Sequence, residues 1–133
     1  MATDKILYIE YSETVALHFE VMFKFGETRI GVAEPNLIES ALARPKHAAV
    51  YENADIIRQA ATLLLGLIKN HPWHGGNKRT ATALTDSFLY RNGYDLQTTF
   101  SEIIELSLNV EADVWKVDEI ESWLREKVEK IEK

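Results

Sequence analysis

Hydrophobic positions recur at helical spacing along most of the chain. Val15, Ala16, Phe19, Met22 and Phe23 line one helical face, with Ser12 read as the N-cap and Gly26 as the stop. Pro35 or Asn36 opens a second helix carrying Leu37, Ile38, Ala41 and Leu42. It is expected to end before Pro45, because the residue preceding a proline avoids the α region. Asn53 and Asp55 are alternative caps for a third helix that is apolar on most of its circumference, from Ile56 to Ile68, and is therefore the expected central helix. It stops at Asn70 and His71, before Pro72. A fourth helix begins near Asn77, turns Ala81, Leu84, Phe88 and Leu89 inward and stops at Gly93. A fifth runs from Ser101 and Glu102 to about Asn109. The last, from about Val117 to Ile131, places Ile120, Trp123, Leu124, Val128 and Ile131 on one face, and its alternating Glu and Lys from Glu121 to Lys133 form a solvated side.

Two segments lack the helical period. Ile6 to Tyr11 alternate weakly and are rich in β-formers, which predicts a short strand or an extended arm. Gly26 to Glu34, GETRIGVAE, has two glycines and reads as a loop or a short β-hairpin flap. The pattern predicts an all-α bundle of about six helices. Its 133 residues, 46% hydrophobic, are the size of a single domain spanning residues 1–133.

Charge and composition narrow the partners. The net charge of −6 argues against direct DNA binding, which needs a broad basic field. The absence of cysteine excludes disulfides, thiolate metal sites and Cys nucleophiles. No apolar run approaches the ~18 residues of a membrane span, and Met1 to Tyr11, with Asp4, does not resemble a secretory signal, so the expected address is the cytoplasm. The basic residues Lys69, Lys78, Arg79 and Arg91 are placed around a short glycine-bearing segment, which suggests a small anionic ligand.

That segment, Asn70 to Ala81, reads NHPWHGGNKRTA. Gly75 and Gly76 can take the positive φ that lets successive backbone N–H groups point into one concavity. The helix starting at Asn77 adds unpaired N–H groups and the positive end of its dipole. Lys78 and Arg79 fall in the first helical turn, where cations are unfavourable unless an anion binds there. Arg79 offers a fork to phosphate oxygens and Lys78 a point charge. His71, just before this cradle, is suited to removing a hydroxyl proton. A base beside a phosphate cradle implies phosphoryl or nucleotidyl transfer to a hydroxyl, and neither a P-loop nor a kinase-type glycine loop is present. His71 and His74 make an H-x-x-H pair, but without a third ligand no metal site is expected.

HPWHGGNKRTA resembles the signature of the Fic/Doc superfamily, written H-P-F-x-[DE]-G-N-G-R-x-x-R in the Fic branch and H-x-F-x-D-[AG]-N-K-R-T-A in the Doc, or death-on-curing, branch. Lys78, Thr80 and Ala81 favour the Doc branch. Leu17 and His18, Gly31 and Val32, LIESALARP from Leu37 to Pro45 and FLYRNGY from Phe88 to Tyr94 extend the similarity. The resemblance implies a Fic-type helical fold and a toxin of a toxin–antitoxin system. Such an enzyme transfers the terminal phosphate of ATP to a hydroxyl of a target protein such as elongation factor Tu and is neutralised by an antitoxin. By the same resemblance His71 is the general base, Asn77 and the backbone of Gly75 and Gly76 cradle phosphate, and Lys78 and Arg79 bind its oxygens. It also implies that the flap forms a hairpin positioning the target by strand addition.

Three positions depart from the pattern. Gly75 stands where the family has Asp or Glu, the residue that holds Mg²⁺ on the nucleotide phosphates; Mg²⁺ is expected, but its usual carboxylate ligand is missing. Thr82 stands where the Fic branch has its second Arg, and with Lys78 it counts against the alternative of AMP transfer. Trp73 replaces the usual Phe and keeps its role as a buried aromatic anchor. The Gly75 departure leaves open a further alternative, a Fic-fold module that binds nucleotide or phosphate with weakened catalysis.

Overall fold

The computed structural model describes residues 5–132. Met1 to Asp4, part of the stretch read for a targeting signal, and Lys133, the end of the Glu/Lys run, lie outside the described residues. Six helices occur among them: α1 (Tyr11–Lys24), α2 (Pro35–Glu52), α3 (Ile56–Asn70), α4 (Asn77–Arg91), α5 (Phe100–Glu111) and α6 (Val117–Lys127). Two short strands, β1 (Tyr94–Leu96) and β2 (Val128–Lys130), pair antiparallel with Leu96 opposite Val128. The all-α bundle expected from the hydrophobic pattern is therefore the fold.

The apolar α3 sits at the centre, packed against α2, α4, α5 and α6. Its Leu63, Leu64, Leu67 and Ile68 are buried with Leu84, Phe88 and Leu89 of α4 and with Ile120 and Leu124 of α6. Asp55, one of the two expected caps, starts α3 by accepting the Arg58 N–H at 2.9 Å. Asn53 instead ends α2 in the left-handed conformation, φ 54°. No helix is long and apolar enough to cross a membrane among the described residues.

Three expected boundaries move, each for an identifiable reason. α1 starts after Glu10, not after Ser12: the Glu13 carboxylate reaches back to the Glu10 N–H at 2.8 Å and closes the first turn two residues earlier. α2 does not end before Pro45 but runs through it to Glu52. Ile38, Ala41, Leu42, Pro45 and Ala48 form one continuous buried stripe, and that packing against α3 offsets the ~3 kcal/mol that an internal proline costs. The last helix stops at Lys127, because Val128 to Lys130 gain a strand partner in Tyr94 to Leu96, extended by the Ile131 N–H donating to Gly93 O at 2.8 Å. The segment Gly26 to Glu34 forms the loop, and not the hairpin, of the two forms expected for it. It carries one isolated bridge, Val32 to Trp73, and the two-stranded sheet lies elsewhere.

Ile6 to Glu10 form the extended arm, not a strand. Asn92, just past α4, clamps the arm by accepting the Leu7 N–H at 2.9 Å and donating to the Leu7 carbonyl at 3.0 Å.

Candidate active site

The turn between α3 and α4 is built by backbone geometry. α3 ends with His71 in the left-handed region, φ 47°, which turns the chain sharply into Pro72 and Trp73. Trp73 is buried and its ring stacks on His18 of α1 at 5.2 Å. The Asn77 side chain turns back to this segment: its Oδ1 accepts the Trp73 N–H at 3.0 Å and its Nδ2 donates to the Trp73 carbonyl at 3.1 Å. Asn77 is thus a brace for the turn and not the helix cap. The cap is Gly76, φ 66°, where an added Cβ would lie 2.2 Å from the buried Met22 Sδ.

The first bond of the α4 ladder runs from the Thr80 N–H to Gly76 O at 2.9 Å. The N–H groups of Asn77, Lys78 and Arg79 are therefore left outside the helix ladder, at the positive end of its dipole. His71, Gly75, Gly76, Asn77, Lys78 and Arg79, the six residues singled out by sequence, all line one cleft of about 360 Å³. Two residues from the loop after α1, Glu27 and Arg29, complete its wall.

Side chains around the cleft are held in pairs. Arg79 donates to the Glu27 carboxylate at 2.9 Å and lies over the Phe25 ring at 4.3 Å. Glu111, the last residue of α5, places one carboxylate oxygen 3.3 Å from His71 Nε2 and the other 3.3 Å from Lys78 Nζ. An acid at a helix C-terminus and a cation at a helix N-terminus each oppose the local dipole, and here they satisfy one another. Arg29 donates to the His74 carbonyl at 2.9 Å, tying the loop to the turn.

Beneath the cleft, His18 is fully buried. Its Nε2 accepts the Gly31 N–H at 3.1 Å, so its Nδ1 carries the proton and donates to Thr80 Oγ1 at 2.9 Å. Burial, with the nearby His74 adding to it, lowers the His18 pKa and favours the neutral ring that this bonding needs. His18 thus links the loop, α1 and the first turn of α4.

Sequence reading missed Glu27, Arg29 and Glu111. They lie outside the motif segment and reach the cleft only through the packing of other elements. Conversely, Lys69 and Arg91, grouped with the cradle cations by sequence proximity, are engaged elsewhere. Lys69 pairs with Asp113 at 2.6 Å, and Arg91 pairs with Glu13 at the far end of α4. His74 is exposed, and no group of three or more His, Cys, Asp or Glu placed to hold a metal occurs among the described residues.

The cleft combines an imidazole, cations from two segments and unpaired helix N–H groups, which suits it to a phosphorylated ligand. A divalent metal on those phosphates would need oxygen ligands. Gly75 supplies no carboxylate, and Glu27 and Glu111 are both engaged by cationic or imidazole partners. The donor set does not fit the metal.

Comparison with known proteins identifies the family. The model of the Fic/DOC family matches residues 8–89, more than half of the chain. The chain is 27% identical over 119 residues to "Protein kinase doc" of Escherichia phage P1, a match covering 89% of this chain and 93% of that protein. It is 42% identical over 72 residues to "Toxin Doc" of Mycolicibacterium smegmatis, a match covering 52% of this chain and 55% of that protein. The chain belongs to the Fic/Doc family, and its relatives place it in the Doc branch.

Proposed function

We propose that this protein is a Doc-like toxin that transfers the terminal phosphate of ATP to a hydroxyl side chain of a target protein, with elongation factor Tu as the first candidate and an antitoxin as its natural inhibitor. The observation that carries the reading is the position of His71 on the same cleft as Lys78, Arg79 and the open N-terminus of α4.

In this reading the nucleotide phosphates lie against the backbone N–H groups of the Gly76 turn, with Lys78 and Arg79 on their oxygens. His71 takes the proton of the target hydroxyl as that oxygen bonds to the terminal phosphorus. The bond from this phosphorus to the bridging oxygen breaks, and ADP leaves with the electron pair. Positioning and charge neutralisation supply most of the catalysis in such a step. Glu111 orients the imidazole from its Nε2 side, the part that a third group plays for a catalytic base. Both Glu111 and Glu27 must yield the cations they hold when phosphate arrives.

Gly75 favours one second reading, a module that binds nucleotide without turnover. ATP labelled at the terminal phosphate distinguishes the two. The kinase reading predicts that this label reaches elongation factor Tu and that label on the α-phosphate does not. Tight binding with no transfer supports the module, and transfer of the α-label supports AMP transfer.

A further inference from the structure

We infer that Arg29 binds the nucleotide phosphates directly, in the space where the family pattern has an acidic side chain, so that nucleotide binding in this cleft does not require a divalent metal. The inference rests on the nucleotide reading above and concerns what neutralises the phosphates.

Position 75 carries no side chain. A Cβ built on Gly75 would lie 3.0 Å from the Arg29 carbonyl oxygen, 3.3 Å from Arg29 Cβ and 3.4 Å from Arg29 Nε. The volume a side chain at 75 would enter is therefore already filled by Arg29, backbone and guanidinium stem together. Glycine stands at 75 in place of the family pattern's acid, and an arginine lies beside it. The change reverses the sign of the charge at that wall of the cleft.

The guanidinium is anchored, with Nη2 donating to the His74 carbonyl at 2.9 Å. Arginine has five N–H donors, so this bond leaves donors for a ligand in the cleft that Arg29 lines. Three cations, Arg29, Lys78 and Arg79, then border the cleft against two carboxylates, Glu27, which Arg79 holds, and Glu111, which Lys78 and His71 hold. A divalent cation seated beside Arg29 meets like charge and no free carboxylate. A phosphate seated there meets a planar fork matched to its oxygens. The guanidinium performs the charge neutralisation that a bridging metal ion otherwise provides between nucleotide phosphates.

The test is calorimetric titration of the purified full chain with ATP in EDTA and in Mg²⁺, for the wild type, Arg29→Met, Arg29→Lys and Gly75→Asp, with melting curves to confirm folding. The expected result is wild-type affinity in EDTA within about threefold of that in Mg²⁺. Arg29→Met should weaken binding in EDTA about tenfold or more, the size of one lost charge-assisted contact. Arg29→Lys, which keeps the charge but not the fork, should fall between. Gly75→Asp, whose carboxylate would meet Arg29, should also bind more weakly in EDTA. Wild-type binding that appears only with Mg²⁺, or a folded Arg29→Met that binds as wild type does, overturns the inference and leaves the nucleotide reading standing. No binding in either buffer overturns the nucleotide reading, and the inference with it.

Discussion

At the scale of single residues, the cradle depends on Gly76 for two reasons at once. Its φ of 66° is strained for any residue with a Cβ, and the Cβ itself would lie 2.2 Å from Sδ of the fully buried Met22, whose side chain would have to shift. Gly76→Ala is expected to destabilise the fold by about 1–3 kcal/mol and to weaken ATP binding, as measured by denaturant melts and calorimetry. A substitution without effect on either would show that the turn does not hold the cradle. His18 gives a second prediction at this scale. Its neutral ring bonds both Gly31 and Thr80, and its pKa is lowered in the folded state, so the unfolded chain takes up this proton more readily. Stability from His18 is fully present above the unfolded value of about 6.5 and falls as the pH drops below it. Melting temperatures at pH 5 and pH 7.5 should therefore differ more for the wild type than for His18→Gln; equal differences would remove His18 as the source. Six of the cleft residues were legible in the sequence because they share one turn, where glycines, cations and a histidine violate ordinary helix-start preferences together. Glu27, Arg29 and Glu111 were not legible, since no local pattern marks a residue whose role comes from the packing of a different element.

At the scale of elements, α5 shows how remote structure reaches the site. Thr99 opens it by accepting the Glu102 N–H at 3.3 Å, and the Glu102 carboxylate answers on the Thr99 N–H at 2.9 Å. Lys127, followed by the Thr99 N–H and Thr98, holds the Glu102 carboxyl down at about 2. The other end of the same helix delivers Glu111 to His71 and Lys78. Thr99→Ala should cost about 1 kcal/mol, a fall of a few degrees in melting temperature, while transfer activity at the distant end stays unchanged. Lost activity in a folded Thr99→Ala protein would mean that the cap sets the position of Glu111. Helix existence was readable throughout from the apolar period, but boundaries set by tertiary contacts were not. Pro45 marks a break by local rules and is overruled by the buried stripe on both sides of it. Val128 to Ile131 continue the helical period of α6 and are overruled by the backbone of Tyr94 to Leu96.

At the scale of the whole molecule, a chain of net charge −6 brings three of its 15 Lys and Arg residues, Arg29, Lys78 and Arg79, to one cleft. The central helix α3 and its neighbour α4 are joined by the turn that carries the chemistry; Lys78 and Arg79 are paired with Glu111 and Glu27, and Arg29 with the His74 carbonyl. That arrangement presents a small polyphosphate with a local positive site on an acidic surface, which favours a nucleotide over nucleic acid. The central claim, His71-dependent phosphate transfer, is tested most directly by the intact mass of elongation factor Tu after incubation with this protein and ATP, with and without Mg²⁺. The control is His71→Asn, which tolerates the left-handed backbone at that position but offers no base. The account predicts a gain of one phosphate with the wild type and a rate at least about 10²-fold lower with His71→Asn. An AMP-sized gain, or equal phosphate transfer by a folded His71→Asn protein, would contradict it.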